Sequence, residues 1–161
     1  MTKDISFDIL IDTKEKIPWE FTDASYVDNI EHVHLDTGDY TIVGFEDTLC
    51  IERKRSVAEF AKNITEERFK RELERMREFP HKFIIFEFNY SHIDDYPLGS
   101  SIPKAKHKHI RVKGPFIRAA IARMEVEYGI HVIPCGHAAY AEEKAGNIMK
   151  EIYRKYSGQN T

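Results

Sequence analysis

The apolar run SFDILID, residues 6–12, ends in an acid and predicts a central strand with Asp12 at its C-terminal end. KEKIPWEF then reads as a loop. In HVHLDTGDYTIVGFEDTLCIERK, residues 32–54, the turn signals DTGDY and GFED predict two or three short segments of an antiparallel meander. The last of these ends unusually. Apolar Leu49, Cys50 and Ile51 run directly into Glu52, Arg53 and Lys54, three consecutive charges of both signs where a half-buried strand ordinarily meets a turn.

From Ser56, a good N-cap, the period becomes helical through Val57, Phe60, Ala61 and Ile64, then Phe69, Leu73 and Met76. The spacing slips at NITEE, which fits either a kink or two consecutive helices. KFIIFEF, residues 82–88, predicts a strand buried on both faces at the sheet centre. A long polar segment, residues 91–114, leads to a helix with Pro115 in its first turn, Phe116, Ile117, Ala120, Ile121 and Met124 on one face, and Gly129 at its stop. IHVIP, residues 130–134, is a short strand. A last helix from about Ala138 to Tyr156 carries Ala141, Ala145, Ile148 and Ile152 on one face. This order predicts an α/β fold with a central mixed β-sheet flanked by helices.

The 161 residues suit a single domain, 1–161, with one core. At 42% apolar, 32% charged and a net charge of −3, the chain is not a generally basic nucleic-acid binder, so any polyanion contact must be local. One stretch qualifies. The loop 97–113 holds Lys104, Lys106, Lys108, Arg111 and Lys113, with no acid between Lys104 and Lys113; it reads as a DNA-phosphate contact or as a mobile, solvated loop. Cys50 and Cys135 form no CxxC or CxxH pair and read as reduced thiols. MTKDISFDIL lacks a signal-peptide layout and no apolar run approaches about 18 residues, so an intracellular protein is expected.

Asp39 alone would be an ordinary turn residue after Gly38. With Glu52 at the end of the next strand it becomes half of a carboxylate pair, which repels unless a cation lies between. Hard oxygen ligands favour Mg²⁺, with Mn²⁺ as a substitute, and Mg²⁺ combines one or two carboxylates with waters and phosphate oxygens. Lys54 shares the strand face of Glu52, where its ammonium could orient a water or neutralise phosphorane charge. Arg53 points the other way, so its side chain pairs behind the site while its backbone carbonyl remains available to a metal. The set proposes phosphodiester cleavage.

The segments ILIDTKEK, GDYTI, CIERK and SVAEFAKNITEERFKRELERM together resemble the nuclease domain of the XPF family of structure-specific endonucleases, a restriction-endonuclease-like fold, here in standalone form. The family signature is acid-x-Arg-Glu, then Gly-Asp, then Glu-Arg-Lys followed by an aspartate. The resemblance implies that Asp39 and Glu52 are metal ligands and Lys54 is catalytic. It places Asp12 close to the metal and in the catalytic set, with Glu15, Arg53 and Glu59 supporting. It also implies a Mg²⁺-dependent endonuclease acting on branched or flap DNA near a single-strand/duplex junction, working as a homodimer or as a heterodimer with a related chain. The apolar faces of the last two helices are the expected dimer contacts.

Two positions depart from the signature. Lys14, expected to contact DNA, replaces the arginine and loses its bidentate fork. Ala58 stands where the trailing aspartate belongs and Glu59 comes one residue late, a turn of about 100° on a helix. The alternatives are a catalytically silent DNA-binding or dimerisation module of the same fold, or a four-way-junction resolvase. His32 with His34, and His107 with His109, form HxH pairs without a third ligand and read as solvated or phosphate-facing. Trp19 and Tyr26 read as packing residues rather than platforms for splayed bases.

Overall fold

A computed structural model describes residues 4–158. Residues 1–3, part of the stretch read for a signal peptide, and 159–161, the end of the 1–161 domain, lie outside it. Six strands, β1 (Phe7–Asp12), β2 (Val27–Val33), β3 (Tyr40–Ile42), β4 (Leu49–Lys54), β5 (His81–Phe86) and β6 (His131–Pro134), form one sheet in the order β2-β1-β3-β4-β5-β6. β3 runs antiparallel to β1 and β4, while the pairs β1 with β2, β4 with β5, and β5 with β6 are parallel. The expected mixed α/β sheet is found.

The helices are α1 (Val57–Asn63), α2 (Glu67–Met76), α3 (Gly114–Tyr128) and α4 (Ala138–Ser157). The slip at NITEE is a break between α1 and α2, where Ile64 caps the first helix and Glu66 begins the second. Gly129 closes α3 at φ +67°, a left-handed conformation that favours glycine. The polar segment 91–114 is not featureless, since Tyr90–Asp95 and Lys104–His109 are short 3₁₀ helices.

Side-chain alternation along β4 divides the core. Leu49 and Ile51 pack with Ile9, Ile11, Tyr40, Trp19 and the inner face of α4, whereas Cys50 packs with Phe60, Phe69, Met76, Ile84, Phe86 and α3 on the other side. A buried Phe or Ile side chain of this kind contributes about 2 kcal/mol of transfer free energy.

Three expectations are corrected. The chain before β3 is not part of a meander. β2 begins at Val27, lies on the sheet edge and runs parallel to β1; its half-buried Val27, Ile30 and Val33 recur every third residue instead of alternating, with a register shift opposite Phe7 and Ile9. β5 is an interior strand, but β3 and β4 occupy the sheet centre. Apart from Phe116 of α3, which stays exposed, the apolar faces of α3 and α4 are largely used within the chain: Ile117, Ile121 and Met124 cover one sheet face, and Ala141, Ala145, Ile148 and Ile152 the other. Each is required to bury its own side of the sheet.

Candidate active site

All six residues of β4 are buried, including Glu52, Arg53 and Lys54 at 5% exposure each. Charges so enclosed must be paired. Alternation sends Glu52 and Lys54 to the α1/α2 side, where Lys54 Nζ lies 3.2 Å from Glu52 Oε1 and 4.9 Å from the centre of the Phe69 ring.

Arg53 emerges on the α4 side. Its Nε donates to Glu87 Oε2 at 2.9 Å, and its Nη1 donates to Glu15 Oε2 at 3.0 Å, the Ile17 carbonyl at 2.7 Å and Tyr40 Oη at 3.2 Å. The guanidinium stacks on Trp19 at 4.9 Å, and Trp19 Nε1 itself donates to Glu87 Oε2. Tyr40 Oη donates to Glu15, which completes a buried network that fixes the strand end from behind.

Asp39 stands immediately before β3, oriented by two contacts to β4: its N–H donates to the Ile51 carbonyl at 2.8 Å and its Oδ2 accepts from the Arg53 N–H at 2.8 Å. Those bonds turn the Arg53 carbonyl to the β3 side as well, whereas the Lys54 carbonyl pairs with Glu87 of the β5 side. Gly38 makes the approach possible. Its φ is +83° and a Cβ there would come within 2.7 Å of Cys50 Sγ.

Asp12 ends β1 at 3% exposure. Its Oδ1 accepts from the Leu35 N–H at 2.9 Å and its Oδ2 from the Lys14 N–H at 3.2 Å, so this carboxylate orders two loops at the rim. The Lys14 side chain is exposed. Glu59 accepts from the Arg55 N–H at 3.0 Å while its own N–H donates to Ser56 Oγ, a reciprocal cap on α1. Asp12, Lys14, Glu15, Asp39, Glu52, Arg53, Lys54 and Glu59 all line one cavity of about 300 Å³.

Glu72 of α2 lines it too, and sequence reading missed it. A signal was present: Phe69, Glu72, Leu73 and Met76 share the i, i+3, i+4, i+7 stripe, so an acid occupies a position on the inward face. Glu87, Trp19 and Tyr40 were likewise not assigned to the site, since nothing local in FIIFEF marks Glu87 as the partner of Arg53.

The electrostatics are those of crowded acids. Burial first, then the charge of Glu15, pushes Asp39 up to about 7, against the Arg53 N–H. Burial, followed by Asp39, holds Glu52 well above the usual carboxylate range, with Glu72 adding to the rise. Burial disfavours the Lys54 ammonium, but Glu52, Glu72 and Asp39 more than offset it and hold its pKa above that of an ordinary lysine. Glu52 Oε2 is buried and accepts no hydrogen bond. Such an oxygen costs about 1–3 kcal/mol or more unless a cation satisfies it. Among the described residues no group of three or more His, Cys, Asp or Glu side chains surrounds a single point. Mg²⁺ needs no such cage, and Asp39 and Glu52 with the Arg53 carbonyl fit its demand for a few hard oxygens plus substrate phosphate and water.

The basic segment lies beside this strand end. Lys104, Lys106, Lys108, Arg111 and Lys113 are exposed, and Ile102, Ile110 and Arg111 share a second cavity with Ala58, Ala61 and Lys62 of α1, the helix that follows Lys54. The histidine pairs have other partners: His34 meets Asp36, and His107 meets the Ile102 carbonyl at 2.8 Å.

Residues 11–143, which hold Asp12, Asp39, the Glu52 to Lys54 triplet and the basic segment, match the family model described as the ERCC4 domain. The chain belongs to the ERCC4 domain family. The resemblance read from its motifs is therefore borne out. This ERCC4 domain is similar to the structure of XPF from Aeropyrum pernix, with a TM-score of 0.63 and 20% identity over 93% of this chain and 65% of that one. It is equally similar to XPF from Aeropyrum pernix in complex with DNA, with a TM-score of 0.62 and 20% identity over 92% of this chain and 66% of that one. At this identity the likeness is one of fold, and the domain spans slightly under two thirds of those structures. No curated protein sequence matches the chain.

Proposed function

We propose that this ERCC4 domain is a Mg²⁺-dependent, structure-specific DNA endonuclease that hydrolyses a phosphodiester bond near a branch, flap or single-strand/duplex junction. The observation that carries this is the meeting of Asp39, Glu52 and Lys54 in one cavity, where a buried oxygen of Glu52 has no donor. Asp39, Glu52 and the Arg53 carbonyl would hold the ion, with Mn²⁺ able to replace it. Bound there, the ion would supply Lewis-acid stabilisation of charge on the phosphoryl oxygens.

The protein's own groups have separable tasks. Lys54, held protonated by the acids around it, serves as a hydrogen-bond donor and a fixed positive charge instead of a base. It positions the attacking water and neutralises the phosphorane. The water oxygen forms a bond to phosphorus, the bond to the leaving ester oxygen breaks, and the water protons pass to solvent and to the departing oxygen. Asp12 holds the rim loops through the Leu35 and Lys14 N–H groups. Glu15 and Glu87 restrain the strand end through Arg53, and Glu59 fixes the start of α1. Lys14 at the cavity and the five exposed cations from Lys104 to Lys113 offer phosphate contacts.

The test is incubation with flap, fork, four-way and linear DNA, with and without Mg²⁺. Cleavage of one branched substrate class that requires the ion and fails in Asp39→Ala and Lys54→Ala is expected. Retained cleavage in either variant would overturn the assignment. Binding of branched DNA without metal uptake would point to a silent binding module.

A further inference from the structure

We infer that Glu72 supplies a third negative charge to the cation site, so that the free protein binds a divalent ion before DNA arrives. This rests on the metal site of the proposed function.

The argument begins with helix geometry. Glu72 lies on the same stripe as the buried Phe69, Leu73 and Met76, which directs its side chain to the sheet and into the cavity of Asp39 and Glu52. An acid at such a position ordinarily finds a cation. Arg68 and Arg75 stand four residues before and three after it, yet among the described residues Glu72 forms no ion pair with either or with Lys54, whose charge it feels across the cavity. It lines the cavity of two other acids instead, and the charges of both Asp39 and Glu72 act on the Glu52 carboxyl.

Three carboxyls in one cavity make a poor structural element, because like charges in a buried setting repel. Glu52 also has an oxygen without a donor, at a side-chain exposure of 7%. Both features are resolved by a cation. With the carboxyls ionised around a bound ion the charges balance: Asp39, Glu52 and Lys54 sum to one negative charge, which undercompensates a divalent ion, and Glu72 brings the sum to two. Because no three such side chains converge on one point among the described residues, Glu72 would act through the water shell that the ion retains. Its half-buried position leaves the long side chain free to follow.

The experiment is calorimetric titration of the full chain with Mn²⁺ alone, in wild type, Glu72→Gln, Glu72→Asp and Asp39→Asn, beside thermal melting in EDTA. Wild type is expected to bind, Asp39→Asn to lose binding, and Glu72→Gln to weaken it about tenfold or more. Glu72→Asp should recover part of that loss. In EDTA, Glu72→Gln should melt at or above wild type, since it removes repulsion; a residue with a merely structural role would lower the melting point. Wild-type Mn²⁺ affinity in Glu72→Gln overturns the inference while a loss in Asp39→Asn keeps the proposed metal site. Absence of binding in wild type overturns the inference, since it requires uptake without DNA, and Mg²⁺-dependent cleavage then decides the proposed function separately.

Discussion

The N–H of Arg53 donates to Asp39 Oδ2 at 2.8 Å, so the strand that carries Glu52 and Lys54 also aims the acid of its neighbour. Asp39→Asn keeps an acceptor for that N–H and removes the charge. This variant should retain its circular dichroism spectrum and lose Mg²⁺-dependent cleavage by about a hundredfold or more. Turnover on flap DNA measures the loss, and wild-type turnover would remove Asp39 from the chemistry.

Asp39 also sets a pH dependence. Its folded value of about 7 lies above the ordinary 3.8, chiefly through burial, so the folded state keeps a proton that the unfolded chain releases. That stability is full below about pH 4 and is lost as pH rises through about 7. Melting temperatures in EDTA should therefore fall from about pH 5 to about pH 8, with a flatter profile in Asp39→Asn. Mg²⁺ should raise the melting point more at the upper end, where the acids are charged and ready to bind.

Behind the site, Arg53 and Glu87 form an ion pair with side-chain exposures of 5% and 8%. Arg53→Ala strands Glu87 and Glu15 as largely enclosed acids without their cation, and urea unfolding should register a loss of about 3 kcal/mol. Adding Glu87→Gln to that variant should recover part of it, because the uncompensated charge is then gone. Arg53→Lys should recover less than the charge alone suggests, since one ammonium cannot span Glu87, Glu15 and the Ile17 carbonyl as the planar fork does.

The basic segment makes a separate prediction in salt. Replacing Lys104, Lys106 and Lys108 with alanine should weaken DNA binding across sequences and reduce the slope of log affinity against log salt by about 0.9 for each duplex phosphate contact removed. Fluorescence anisotropy across a salt series reads this. An unchanged slope would assign phosphate contact elsewhere.

The triplet at the end of β4 was legible because it breaks a local rule: charges of both signs follow an apolar run. The opposite facing of Arg53 and Lys54 followed from strand alternation alone. β2 was not legible, since VDNIEHV has three-residue spacing and an edge strand tolerates polar positions that conceal its period. Its parallel pairing depends on the path of residues 13–26, which carry no helical period to announce a crossover. Glu72 could be found only by asking why an acid occupies an inward stripe position. Glu87 had no local mark at all, because its meaning arises from a partner 34 residues away.

The two faces of β4 have unequal fates under mutation. The Arg53 guanidinium, with Glu15, Glu87, Tyr40 and Trp19, anchors the sheet on one side through contacts that involve neither Glu52 nor Lys54. A descendant that lost Glu52 and Lys54 would keep its scaffold and shed repulsion in the process. Inactive copies are thus easily reached by drift, whereas regaining activity requires rebuilding an arrangement that the fold alone does not favour.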